Sequence, residues 1–263
     1  MKARLILAAA GAMTSLVVAP VANASAVQLC GELGATWDGT NCTVLVTSQR
    51  KAEMFISLRL PAPLLDDPTT GPALSSYYHR LMDGWRKTGS TTPRDSSASA
   101  DYQVFSGPGA VQSVIVHETF MPFGIQANNA YRSFVFDMAQ RRRLDLADLF
   151  KPGVDPVAAV SAAAAPALPA ALDSAAPPHA PNTYPFTVQE WQPGPDGPGY
   201  SGEYRAFGLT ADHLILYLPD APMQREDPFP NDRLVWSMDG GTVTVEVPLS
   251  ALNGSLRPEY VGA

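Results

Sequence analysis

The sequence predicts an α+β fold, in which strands and helices occur along one chain of 263 residues. Three observations support this class. Short runs of β-branched and large apolar residues recur, as in Met54–Pro61 and His213–Pro219, and such runs are typical of strands. One segment repeats apolar residues at helical spacing. The apolar content of 46% is sufficient for a packed core and argues against a globally disordered chain.

Residues 1–24 are predicted to be a secretory signal peptide. Lys2 and Arg4 precede Leu5–Ala19, an apolar run of 15 residues, and Ala22–Ala24 offers small residues for cleavage. A spanning helix needs about 20 apolar residues, so the run is short for an anchor, although an uncleaved N-terminal anchor is the alternative. We expect a secreted, extracellular protein, released or associated with the cell wall, that begins near Ser25 and has no transmembrane anchor.

The charge balance limits the classes of partner. The chain has 18 basic and 25 acidic residues, and loss of Lys2 and Arg4 with the signal peptide leaves 16 basic residues and a net charge of −9. Such a surface repels nucleic acid and anionic lipid and attracts a basic partner. We therefore expect no nucleic acid partner.

The two cysteines, Cys30 and Cys42, follow closely after the predicted cleavage site. In an exported chain such a pair favours an intramolecular disulfide, and the turn-forming glycines between them allow a short loop to close. A metal pair or a catalytic thiol is the alternative. No histidine lies nearby to complete a zinc site.

The N-terminal half of the mature chain is predicted to contain two strands and one long helix. Thr43–Val46 and Met54–Pro61 are the strands. The helix begins at Thr70 or Gly71 and ends at Gly89. We expect its apolar stripe to pack on a sheet, with a ligand platform as the alternative. The stripe consists of Leu74, Tyr77, Tyr78, Leu81, Met82 and Trp85.

More strands are predicted after a polar loop at Ser90–Ser99. Asp101–Ser106 and Gln112–Phe120 form a hairpin around a Gly-Pro-Gly turn, and Tyr131–Asp137 follows. The chain closes with three strands, of which the middle one is apolar on both faces and is therefore expected to be central. They are Ala206–Thr210, His213–Pro219 and Val243–Pro248.

Between these strand groups lies a segment of low complexity. Asp155 can cap a short helix that has Pro156 at its first position, and Pro166 should break that helix. We expect a mobile Ala/Pro-rich arm at 161–181 and a Pro/Gly loop at 192–202.

Three segments resemble the signatures of the RsiV-like domain. Phe134–Phe150 resembles its opening strand, basic turn and short helix, and Phe207–Leu218 resembles its second signature. Val245–Leu252 resembles its closing strand and turn, with Ser250 as the cap. Leu29–Leu33, the cysteine spacing, Ile56–Pro61 and Ser90–Arg94 resemble the mycobacterial secreted immunogenic antigens.

The resemblance implies a mixed, largely antiparallel sheet covered by one long and one shorter helix. It also implies an N-terminal α+β region at 25–100 and an RsiV-like domain at 101–263. Because RsiV-like domains of anti-sigma factors bind lysozyme, the resemblance implies an extracellular partner such as lysozyme, or a cell-wall component.

No residue pattern predicts a catalytic, cofactor or metal site, and none identifies ligand-binding residues. The histidines lack metal-site spacing, and the Gly-x-Ser-x-Gly motif of serine hydrolases is missing. We expect a non-catalytic binding protein or antigen, with a weak secreted esterase as the alternative. The paired acids and the basic run are predicted to form solvated turns and caps. The residues considered are His79, His117, His179, His213, Gly199–Gly202, Asp66, Asp67, Asp145, Asp148, Glu226, Asp227 and Arg141–Arg143.

Export and cleavage can be tested directly. N-terminal sequencing of the protein from culture fluid should begin at Ser25, or at Val27 if the alternative site after Ala26 is used, because both sites follow small residues. Recovery of only the full-length chain, in the membrane fraction, would contradict the prediction.

Overall fold

The computed structural model describes residues 24–121, 128–175, 180–183, 188–191, 203–219 and 241–262. These residues form an α+β fold with a largely antiparallel main sheet, which confirms the predicted class. The predicted signal peptide, apart from Ala24, and the Pro/Gly loop at 192–202 lie outside the described residues.

The main sheet has seven described strands, arranged in chain order. Neighbouring strands are antiparallel except β3 and β4, which run parallel. The strands are β1 (Thr36–Trp37), β2 (Asn41–Thr47), β3 (Glu53–Arg59), β4 (Ser96–Ser106), β5 (Val111–Met121), β6 (Asn128–Asp137) and β7 (Arg142–Leu144).

Five α-helices accompany this sheet in the described part of the chain. The parallel β3–β4 pair requires a crossover connection, and α3 lies within that connection. The helices are α1 (Ala24–Glu32), α2 (Ala62–Leu65), α3 (Gly71–Gly89), α4 (Pro156–Ala164) and α5 (Leu168–Ser174). Short 3-10 helices occur at Leu146–Leu149, Val188–Trp191, Leu249–Leu252 and Pro258–Tyr260.

Helix α3 covers one face of the main sheet, and its bounds agree with the prediction. Its apolar stripe is buried, with Leu81 and Trp85 fully inaccessible. A Cβ on Gly71 would lie 2.4 Å from the Leu65 carbonyl oxygen, so the first residue of α3 must be glycine for α2 to pack so closely.

A second, three-stranded sheet packs near the opposite face of the main sheet. Its strands are β8 (Phe207–Leu209), β9 (His213–Leu218) and β10 (Val243–Pro248), and β9 is central, as predicted. The Leu209 N–H donates to the Ser113 hydroxyl at 2.9 Å, and the Ser133 hydroxyl donates to the Phe207 carbonyl. These serines on β5 and β6 hold β8 against the main sheet.

Strand β5 is therefore buried on both faces. Val114 and Val116 belong to the core beneath α3, whereas Ile115 packs with Ile215 and Tyr217 of β9. The two cores thus share one strand. The predicted boundary between 100 and 101 lies within β4, so the two predicted regions share the main sheet.

The predicted disulfide between Cys30 and Cys42 is present, and both cysteines are fully buried. It joins α1 to β2. Helix α1 was not predicted, because the glycines after Cys30 favour a turn-rich loop. The missed helix buries Ala26, Leu29 and Cys30, and this tertiary burial compensates for the low helix propensity of Gly31.

Two segments that were expected to be irregular contain regular secondary structure within the described residues. β4 begins at Ser96, so the predicted loop at Ser90–Ser99 is too long by four residues. The prediction of a mobile arm at 161–181 is wrong for the first part of that segment, because α4 continues to Ala164 and α5 follows. Pro169 lies in the first turn of α5, where a missing N–H costs nothing, and Leu168 and Leu172 are buried.

No single described helix is long and apolar enough to cross a membrane. Together, α4 and α5 reach the required length and composition, but the two helices are bent by 69° relative to each other.

The packing of α3 provides a stability prediction. Leu81→Ala should lower the free energy of unfolding by about 2–5 kcal/mol, because the substitution leaves a cavity in a close-packed core. Denaturant unfolding measures this change. Asp83→Ala, at an exposed position of the same helix, should stay within about 0.5 kcal/mol of the wild type. Equal changes in the free energy of unfolding for the two substitutions would show that the apolar stripe of α3 does not stabilise the fold by packing on the sheet.

Candidate functional site

A cleft of about 740 Å³ opens beside the β6 and β7 side of the main sheet. This volume lies within the range typical of small-molecule sites, roughly 300–1,000 Å³. Strand β7 pairs with only Val135–Asp137, and the β6 residues just before that pairing line the cleft. Four arginines reach the cleft from four parts of the chain: Arg80 on α3, Arg132 on β6, Arg143 on β7 and Arg205 before β8.

A buried carboxylate organises one wall of this cleft. Glu118 on β5 is 3% exposed. Its Oε1 accepts hydrogen bonds from the Tyr77 hydroxyl at 2.8 Å and from Nε of Arg132 at 2.9 Å. Period-two alternation places Glu118 on the same face of β5 as Val116 and the core beneath α3. The side chains therefore connect α3, β5 and β6.

The environment of Tyr77 keeps its hydroxyl protonated. Burial raises its pKa well above the ordinary value, and the neighbouring Glu118 carboxylate raises it further. A protonated hydroxyl can donate to the carboxylate, so at neutral pH the Tyr77–Glu118 hydrogen bond is maintained. The Tyr77 ring also contacts Phe134 edge-on, with centroids 5.1 Å apart.

Arg143 is positioned by its backbone and aromatic contacts. Its Nη2 donates to the Ser133 carbonyl at 3.0 Å, and its guanidinium lies over the Phe134 ring, 4.8 Å from the centroid. Burial lowers the pKa of Arg143, Asp145 opposes that effect, and the positive charge of Arg80 lowers the pKa further. Arg80 and Arg143 thus bring two like charges to the lining of one cleft.

The remaining rim of the cleft includes a surface ion pair. Nη2 of Arg205 lies 3.0 Å from Oε2 of Glu203. Glu203 and Tyr204 both have left-handed backbone conformations, with φ of 54° and 52°, which are uncommon for residues with side chains. Elsewhere in the lining of the cleft, Nη1 of Arg80 donates to the Ser76 hydroxyl at 2.5 Å.

The histidines considered in the sequence analysis do not converge. His79 lies 3.7 Å from Glu32, and His213 lies 2.9 Å from Asp212. His117 stacks on Tyr131 and contacts Asn129 at 2.8 Å, while His179 lies outside the described residues.

The other residues considered for chemistry also have structural roles or lie outside the described residues. In the described part of the chain, no serine hydroxyl is hydrogen-bonded to a histidine, and no cluster of three potential metal ligands occurs. Asp145 and Asp148 form the capping box of a 3-10 helix, as expected of helix caps. Ser250 does not cap the last turn, because Pro248 occupies the N-cap. Gly199–Gly202, Glu226 and Asp227 are not described.

Sequence reasoning missed the cleft because its residues are far apart in the chain. Arg143 was identified only as part of a basic turn, and Arg80, Arg132 and Arg205 were not considered. One signal was available: alternation places Arg132 on the same face as Phe134 in a mostly apolar strand, where a charge requires a partner. Its partner, Glu118, lies on the neighbouring strand and could not be assigned without the strand register.

Comparisons with known proteins give structural likeness only. No protein-family model matches the sequence, and no curated protein sequence matches it. A solved DUF3298 family protein from Pseudomonas aeruginosa PAO1 is 15% identical, with a TM-score of 0.49 over 85% of this chain and 94% of that chain. A DUF3298 family member from Bacteroides fragilis NCTC 9343 is 11% identical, with a TM-score of 0.48 over 86% and 94%.

The buried carboxylate leads to a prediction for Tyr77. Tyr77→Phe should lower the free energy of unfolding by about 1–3 kcal/mol, because Glu118 loses a buried hydrogen-bond donor. Denaturant unfolding at neutral pH measures the change. Tyr102→Phe is the matched control, since Tyr102 is only partly buried and no hydrogen bond of its hydroxyl occurs within the described residues. A loss no larger than that of the control would mean that the hydroxyl does not stabilise Glu118.

Proposed function

We propose that this chain is a secreted, non-catalytic binding protein with an RsiV-like C-terminal half, related to the mycobacterial secreted antigens that its sequence resembles. Its ligand is an anionic component of the cell wall, bound in the arginine-lined cleft. The observation that carries the proposal is the convergence of four arginines on one cleft in a chain whose net charge is −7.

The cleft has the properties of a preorganised binding site. Its volume of about 740 Å³ lies in the range of small-molecule sites, and four guanidinium groups of its lining can donate hydrogen bonds. The Glu118 network and the Phe134 contact hold Arg132 and Arg143 in place. Side chains that are already fixed lose less conformational entropy when a ligand binds.

Lysozyme is a second candidate partner, and the net charge is the observation that favours it. A basic protein is attracted by an acidic surface. The arginines of the cleft would repel such a protein, so lysozyme would dock elsewhere on the surface. The two candidates therefore predict different responses to substitution of cleft arginines.

The esterase alternative receives no support from the described residues. Nucleophilic catalysis by serine requires a base within hydrogen-bond reach, and the described histidines contact Glu32, Asn129 and Asp212 instead. Hydrolysis of short-chain esters above the level of a heat-denatured sample, abolished by one serine-to-alanine substitution in a folded variant, would favour the esterase over the binding protein.

Co-sedimentation with purified cell walls tests the proposal. The disulfide-bonded mature protein should sediment with the walls in a saturable manner, and added salt should weaken binding because charges are screened. Substitution of Arg80 and Arg205 by glutamine should reduce binding by about tenfold or more, since charge-assisted hydrogen bonds are lost. The control has the same net charge and replaces the exposed Arg50 and Arg94, which do not line the cleft.

The outcomes separate the candidates. Binding no stronger than that of an unrelated acidic protein of similar size, or equal losses in both double variants, would contradict wall binding through the cleft. Saturable lysozyme binding that is insensitive to Arg80 and Arg205 would favour the second candidate.

A further inference from the structure

We propose that Arg80 and Arg143 together hold one carboxylate group of the ligand, so that the cleft recognises a singly charged, carboxylate-bearing sugar. This inference rests on the proposed function and names the ligand chemistry of the same cleft. It is carried by charge balance and by the unused hydrogen-bond donors of the two guanidinium groups.

The charge balance of the described cleft leaves one excess positive charge. Arg132 is compensated by Glu118, 2.9 Å away, and Arg205 by Glu203, 3.0 Å away. Arg80, Arg143 and Asp145 remain. Two positive charges and one negative charge sum to +1, so a monoanion makes the described cleft neutral.

The carboxylate of Asp145 does not occupy the position proposed for the carboxylate of the ligand. The Asp145 carboxylate accepts a backbone hydrogen bond in the capping box of the 3-10 helix Leu146–Leu149, so it is committed to the start of that helix. Within the described residues, neither Arg80 nor Arg143 has a carboxylate within the 4 Å of an ion pair. The nearby aspartate therefore moderates the positive charge without occupying the donors.

Both guanidinium groups retain donors for a ligand. A guanidinium has five N–H donors, and the described hydrogen bonds use one on Arg80, to Ser76, and one on Arg143, to the Ser133 carbonyl. The planar guanidinium matches the two oxygens of a carboxylate. Because both positively charged groups line the same cleft, an anion that contacts both would offset the charge of each.

The net charge of +1 favours a carboxylate over a phosphate monoester. A phosphate monoester carries a charge between about −1.5 and −2 at neutral pH and would give the described part of the cleft a negative net charge. A single carboxylate, with a charge of −1, balances the net charge of +1 from Arg80, Arg143 and Asp145.

Calorimetric titration of the full mature protein with matched probes tests this inference. N-acetylmuramic acid carries a carboxylate, and N-acetylglucosamine has the same ring without it. The first should bind at least about tenfold more tightly, because a charge-assisted contact is present only there. A second pair, glucose 6-phosphate and glucose, tests for phosphate recognition. The ratio of the two affinities in this pair should be smaller than the ratio for the two amino sugars.

Variants locate the contact. Arg80→Gln should remove most of the preference for N-acetylmuramic acid, and Arg143→Lys should weaken it while preserving charge, because lysine lacks the planar fork. Arg50→Gln, with the same charge loss outside the cleft, should preserve the preference. Thermal unfolding confirms that each variant is folded.

Three results would overturn the inference: equal binding of the two amino sugars, a larger ratio for glucose 6-phosphate and glucose, or equal effects of the Arg80 and Arg50 substitutions. If cell walls still bind through the cleft in that case, the proposed function stands and only the carboxylate assignment fails. If walls do not bind either, both fail.

Discussion

The buried carboxylate of Glu118 is the constraint on which the arrangement of the cleft depends. A charge in a protein interior is tolerated only when other groups compensate it. Here the compensation comes from Tyr77 and Arg132, on a helix and a neighbouring strand. The need to compensate the Glu118 carboxylate therefore holds α3, β5 and β6 together. It also places Arg132 at the wall of the cleft.

Strand β5 transmits this constraint to the rest of the fold. Its alternate residues face α3 on one side and the small sheet on the other, and Ser113 binds β8 directly. Because Arg205 lies just before β8, the same strand that carries Glu118 also helps to position Arg205 in the lining of the cleft. The packing of the core and the shape of the cleft thus both depend on one strand.

The sequence predicted the elements whose signal is local. The stripe on α3, the turn at Gly107–Gly109 and the apolar run of β9 each specify their structure from neighbouring residues. The pairing of the two cysteines was predicted from their closeness in the chain after the expected signal peptide. The helices α1 and α5 were missed because tertiary burial, not propensity, decides them. The cleft was missed for a related reason, since its arginines meet only through strand register and sheet packing.

The central claim is that Arg80 and Arg143 together bind one carboxylate group. NMR of the arginine side chains tests this claim most directly. On titration with N-acetylmuramic acid, the Nε–Hε resonances of Arg80 and Arg143 should shift together along one saturable curve, while that of Arg50 stays in place. Saturable binding with no change at Arg80 and Arg143, or with equal changes at exposed arginines across the surface, would contradict the account.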